Sequence, residues 1–118
     1  MFDSDGYPTD ETLRTVRTFT GSPHQLVDLL QDITRAYGVV TTMAFEDRYG
    51  RPAVEVYMAT GGWSGNESVI GALERSAFWF LYWNQSARGG AFWFHVPVDL
   101  WDSPLPEWPS ATSVEDDS

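Results

Sequence analysis

Six consecutive large side chains, Phe78-Trp79-Phe80-Leu81-Tyr82-Trp83, constrain this chain more than any other stretch, because on a helix they point in every direction. One sheet face cannot bury them all. Either N-terminal helices cover the back of that helix or another protein does. Trp79, Tyr82 and Trp83 are therefore candidate interface residues toward a protein partner or a second copy in a homodimer. The chain's eighteen aromatic residues, six of them Trp, point the same way: one domain of 118 residues rarely needs so much large apolar surface.

The rest of the chain supplies the elements around that run. Thr9-Asp10-Glu11 after Pro8 opens a short helix with acids in its first turn, ending near Gly21. Ser22-Pro23-His24-Gln25 opens a second, a capping box with Pro at the first helical position, and Leu26, Leu29, Leu30 and Ile33 form its stripe up to Gly38. From Val39 the apolar period becomes two. Val39 to Phe45 and Ala53 to Ala59 flank a polar turn and read as a β-hairpin, with Glu55 marking a wet face on its second strand. Val69, Ile70, Leu73, Ala77 and Phe80 predict a helix of about 20 residues, roughly 30 Å long, ended by Ala87-Arg88-Gly89-Gly90. Ala91 to Val96 reads as a last strand, apolar on both faces and so covered on both.

The order is ααββαβ: a single α+β domain with a small three-stranded mixed sheet, a hairpin, a βαβ crossover helix and N-terminal helices. Residues 1–8 are expected to be a flexible acidic N-terminus, 9–100 the domain, and 101–118 a frayed, Pro-rich, acidic tail, although Trp101, Leu105 and Trp108 could fold back as a clasp. A parallel crossover brings the end of the last strand, with Asp99 and Trp101, to the edge where the preceding strand gives way to the long helix.

The formal charge of −10 lies in the ends: Asp3, Asp5, Asp10 and Glu11, then Asp99, Asp102, Glu107, Glu115, Asp116 and Asp117. Between them seven acids meet seven arginines, so the core is formally neutral. That distribution argues against a nucleic-acid partner, which needs a basic face, and against an acidic mimic of one. There is no cysteine, no run of 18 apolar residues and no leader-like N-terminus, which predicts a cytoplasmic protein without a membrane partner.

At the expected strand-to-helix junction stands Gly61-Gly62-Trp63-Ser64-Gly65-Asn66-Glu67. As a phosphate cradle it lacks the P-loop lysine and carries Glu67 where the anion would sit. Ser64 and Glu67 have capping-box spacing, and Asn66 is an alternative cap. Capping needs no indole, so a binding role with Trp63 as anchor, Ser64, Asn66 and Glu67 as polar contacts, and Asp99 and Trp101 as neighbours stands beside it. Ser64, His95 and Asp99 have the residue types of a hydrolase triad, but no G-x-S-x-G elbow is present. No catalytic residue, cofactor or metal site is assigned, since His24 and His95 lack paired spacing with carboxylates. Arg88, at the far end of a 30 Å helix from Glu67 by roughly that rise, is expected beside Glu46 and Asp47 or as an exposed contact.

The GGWSGNE stretch, Phe78-Trp79, Trp83 and Ser86-Ala87-Arg88-Gly89-Gly90 together resemble a family of small uncharacterised phage and bacterial proteins with a later RGG-aromatic segment. The resemblance covers about residues 60–96. Where that family is expected to carry His and Tyr after the double glycine, this chain has Ala91 and Phe92. It implies a phage or prophage origin, a host-cell cytoplasmic setting and no activity that can be carried over. The expected function is a protein-binding modulator or inhibitor of a host or defence protein. The alternatives are a small-molecule binder or hydrolase at the Gly61–Glu67 loop, or a toxin-neutralising immunity protein.

Overall fold

The computed structural model describes residues 2–4, 6–35 and 38–107. Within these, the order is α1 (Asp10–Arg17), α2 (Pro23–Ile33), β1 (Val39–Glu46), β2 (Pro52–Ala59), α3 (Ser64–Leu73), α4 (Ala77–Tyr82), β3 (Trp83–Ala87), β4 (Ala91–Pro97) and α5 (Val98–Trp101). The first half follows its local chemistry. Thr9 Oγ1 accepts the Thr12 N–H at 3.2 Å, and Ser22 and Gln25 close the capping box at 3.1 and 3.0 Å. Leu26, Val27, Leu30 and Ile33 on α2 are buried in the core.

The second half corrects the expected long helix. Ser76 breaks it: its hydroxyl donates to the Leu73 carbonyl at 2.6 Å and accepts the Trp79 N–H at 3.2 Å, so one buried side chain closes α3 and caps α4. Trp83 to Ala87, expected to finish that helix, form β3 instead. The double glycine is therefore a hairpin turn: Gly89 and Gly90 have φ of +86° and +80°, a conformation costly for other residues, and a side chain on Gly90 would collide with the Thr60 hydroxyl.

That extra strand changes the topology. The sheet has four strands in the order β1-β2-β4-β3, and every neighbouring pair is antiparallel, in place of the expected three-stranded mixed sheet. The crossover through α3 and α4 reaches β3 at the edge, parallel to β2, and β4 returns to fill the gap between them. Ala59 pairs with Ala91 and Ala53 with Pro97, so β4 ends beside the start of β2, opposite to the expected end.

The register sorts side chains onto two faces. Val54, Val56 and Met58 of β2 and Phe92, Phe94 and Val96 of β4 face the helices, which close the core with Val16, Leu26, Leu30, Val69, Leu73 and Phe78. The alternate residues of the same strands do not join that core. At roughly 25 cal/mol per Å² of apolar surface removed from water, this single helix–sheet interface is the main stabilising contact of the domain.

Candidate functional site

The glycine stretch lies at one end of the sheet, where two glycine turns meet. The Thr60 N–H donates to the Gly90 carbonyl at 2.9 Å, and Gly61 and Gly62 turn the chain with φ of +66° and +82°. Helix α3 starts one residue earlier than a Ser64 capping box requires. Trp63 occupies the cap position with no side-chain bond, and the Ser64 hydroxyl pairs with the Tyr7 hydroxyl at 2.8 Å. The Tyr7 and Trp63 rings lie 5.2 Å apart, and the indole covers Gly65 so closely that a methyl there would overlap it. Glu67 is exposed.

Asn66 is neither cap nor exposed contact. It is fully buried: its Oδ1 accepts the Arg35 N–H at 3.0 Å, and its Nδ2 donates to the carbonyls of Arg35 at 2.6 Å and Thr60 at 2.9 Å. It ties the segment after α2 to the end of β2, which is a structural role.

Asp99 and Trp101, expected beside Trp63, stand at the other end of the sheet. Six residues of strand separate Ala59 from Ala53, about 20 Å. Trp101 stacks on His24 at 5.2 Å, His24 Nδ1 meets Asp102 Oδ1 at 2.8 Å, and the Leu105 N–H donates to the Gly21 carbonyl at 2.9 Å with its side chain buried. Trp101 and Leu105 thus pack back onto the core; Trp108 falls outside the described residues. Burial and the nearby Asp99 carboxylate push the Tyr82 phenol above its usual pKa. A groove of about 490 Å³ runs between Asp47, Arg51 and Pro52 of the hairpin and the segment from Pro97 to Leu100.

Ser64, His95 and Asp99 accordingly do not assemble: His95 lies in mid-strand, its Nε2 paired with Glu55 Oε2 at 3.0 Å. Arg88, in the β3–β4 turn, shares the glycine end because β4 is antiparallel. Its expected partner Asp47 binds Arg51 Nε at 3.2 Å within the hairpin turn. The backbone N–H groups of Arg51 and Tyr49, with the Arg51 charge, hold the Asp47 carboxyl below the usual aspartate range.

The aromatic run divides. Phe78 is fully buried against Phe94, with ring centroids 5.0 Å apart. Trp79 is half-buried, packed on Phe92 and Phe94 and stacked with Trp83 at 6.3 Å. Tyr82 is half-buried against Phe78, while Phe80, Leu81 and Trp83 remain 68%, 44% and 46% exposed. The short α4 thus buries one side of the run and leaves the other at the β3 edge of the sheet.

A second surface lies outside the candidates that the sequence offers. The face of the sheet turned away from the helices carries Val39, Met43, Phe45, Tyr57 and Trp93 around the Glu55–His95 pair. Tyr57 and Trp93 lie 5.1 Å apart, Phe45 and His95 4.7 Å, and Met43 is 58% exposed. The last strand is apolar on both faces, but helices cover only one. Glu55 was the available signal, since a carboxylate among Val54 and Val56 marks a face that remains wet.

The arrangement defines an α+β domain with an open aromatic sheet face. Compared with family models, with curated proteins and with solved structures, the chain finds no match. Among the described residues no group of three or more His, Asp or Glu is placed to hold a metal ion, and no helix is long and apolar enough to cross a membrane.

Proposed function

We propose that this chain acts by binding another protein through the open face of its sheet. The observation that carries this reading is that face itself: Met43, Phe45, Tyr57 and Trp93 lie together on a four-stranded platform, and among the described residues no helix packs over them. Aromatic and Met side chains around a paired charge are the composition of the centre of a protein interface. The exposed Phe80, Leu81 and Trp83 provide a second apolar patch at the β3 edge. The phage setting and the role as modulator of a host or defence protein belong to this proposal, and the sequence resemblance alone supports them.

A photo-crosslinking residue at Thr41, beside Tyr57 on the open face, tests it against the same residue at Thr15 on α1. In native cells, the Thr41 probe should give a discrete adduct with a different protein, separate from any adduct with a second copy of this chain, that Trp93→Ser abolishes while the fold is retained. Equal labelling of other proteins from both positions, or such adducts indifferent to Trp93→Ser, overturns the proposal.

A further inference from the structure

We propose that strand β1 is the seam between two copies of this chain, paired antiparallel about a two-fold axis at Thr42 so that the two sheets become one of eight strands. The inference starts from an asymmetry between the two sheet edges. Strand β3 is five residues long and its register shifts between Trp83 and Gln85, a bulge of the kind that protects an edge. Strand β1 pairs with β2 over all eight residues without a shift, and its other side has no strand among the described residues.

In its sequence that long edge carries none of the usual guards. From Val39 to Phe45 the sequence is Val-Val-Thr-Thr-Met-Ala-Phe, with no charge, proline or glycine. This is the composition of an interior strand, four β-branched residues first. Yet only Val40 and Phe45 in it are even partly covered, and residues on both its faces are exposed. Val39 and Met43 are 42% and 58% exposed.

The direction of the free backbone groups can be assigned. Gln31 Nε2 donates to the Val40 carbonyl at 3.2 Å, from α2, so that carbonyl points away from β2. Alternation along the strand then turns the N–H and C=O of Thr42 and Ala44 outward as well. Pairing two copies with Thr42 on the axis places Thr42 opposite Thr42 and Val40 opposite Ala44: Thr42 and Ala44 gain partners, and the Val40 carbonyl exchanges its bond from Gln31 for one from the Ala44 N–H of the second copy. On the open face it places Val39 opposite Phe45 and Thr41 opposite Met43, covering the exposed apolar side chains.

Charge agrees with this register. The acids responsible for the net charge of −10 lie outside residues 12–98, and β1 is neutral up to Glu46, which in this register faces Gly38 of the second copy. An isologous contact of this kind closes on itself and adds no further copies at β1.

The experiment is the solution mass of the full chain by sedimentation equilibrium from about 1 to 100 µM, a range bracketing ordinary micromolar association, for wild type, Thr42→Lys and Thr42→Val. Wild type and Thr42→Val should show a mass of two chains, and Thr42→Lys, which sets two ammonium groups together on the axis, should weaken association at least about tenfold. Because the chain has no cysteine, Thr42→Cys gives an independent reading. Residues facing each other across such a pair stand about 5.5 Å apart at Cα, within disulfide reach. Under mild oxidation Thr42→Cys should cross-link as a dimer far faster than Thr18→Cys. A monomer throughout the range, a dimer unchanged by Thr42→Lys, equal cross-linking from Thr42 and Thr18, or a strand of another protein on β1 overturns the proposal.

Discussion

The indole of Trp63 occupies the space that a side chain on Gly65 would need, two residues further along the same helix start. Tyr7 closes the arrangement from the other side, with its ring 5.2 Å from the indole and its hydroxyl on Ser64. Trp63 is thereby accounted for as the link between the N-terminal segment and α3, and the smallness of Gly65 is what lets it lie down.

Replacing Gly65 with Ala sets two effects against each other. Helix propensity gains at most about 1 kcal/mol. Displacing the indole loses an aromatic pair worth about 0.5–1.5 kcal/mol and adds overpacking of about 1–3 kcal/mol. Gly65→Ala should therefore destabilise the protein by about 1–2 kcal/mol in urea unfolding and change its near-ultraviolet circular dichroism. In the Trp63→Ala background the same change should become neutral or stabilising, and equal costs in both backgrounds would contradict the packing account.

Asn66 gives a sharper test of what holds the glycine end together. Asn66→Ala leaves the part-buried Arg35 N–H and carbonyl and the buried Thr60 carbonyl without their partner, and a fully buried orphan costs about 1–3 kcal/mol. A loss of about 3 kcal/mol or more is expected from denaturant midpoints. Asn66→Asp keeps the acceptor for Arg35 but turns a carboxylate toward two carbonyls, so at neutral pH it should be worse than Ala. Acidification toward pH 5 should recover part of its loss; a pH-independent deficit would contradict these contacts.

The raised pKa of Tyr82 sets the direction of an alkaline effect. The folded state holds the phenol proton more tightly than the unfolded chain, where the ordinary value is 10.0. Its contribution is thus fully present below pH 10 and is lost as pH rises through the higher folded value. Comparing denaturant midpoints from about pH 9 to about pH 11, wild type should lose more stability than Tyr82→Phe, and Asp99→Asn should fall between them. Identical alkaline slopes for wild type and Tyr82→Phe would rule this out.

Residues 9–60 were legible because local signals and packing agree there. Ser22-Pro23-His24-Gln25 forms the capping box that its spacing announces, and the alternation from Val39 to Ala59 is a hairpin. After Gly61 a local signal competed with a longer pattern. Val69, Ile70, Leu73, Ala77 and Phe80 keep a helical period across Ser76, yet the hydroxyl of Ser76 caps the turn it interrupts. Gly89-Gly90 has the same ambiguity, serving equally as a helix stop or a hairpin turn, and only the pairing of β3 with β4 decides between them. Read as one continuous helix, those two positions reverse β4 and carry Asp99 and Trp101 to the opposite end of the sheet. Trp63, Ser64 and Asn66 stand out in the sequence, but their contacts with Tyr7, Arg35 and Thr60 depend on tertiary structure that spacing cannot express.

Because the final strand slots between two others already laid down, the domain has a keystone. A chain that extends only as far as Gly90 holds a hairpin and a stray strand with an empty lane between them, and its core lacks Phe94 and Val96. The lane fills only when Ala91 to Pro97 arrive, joining Ala59 to Ala87 through Ala91 and adding the β2–β4 and β3–β4 ladders to that of β1 and β2. A chain cut before Ala91 keeps only the β1–β2 ladder of the native sheet, and β3 has no strand to pair with.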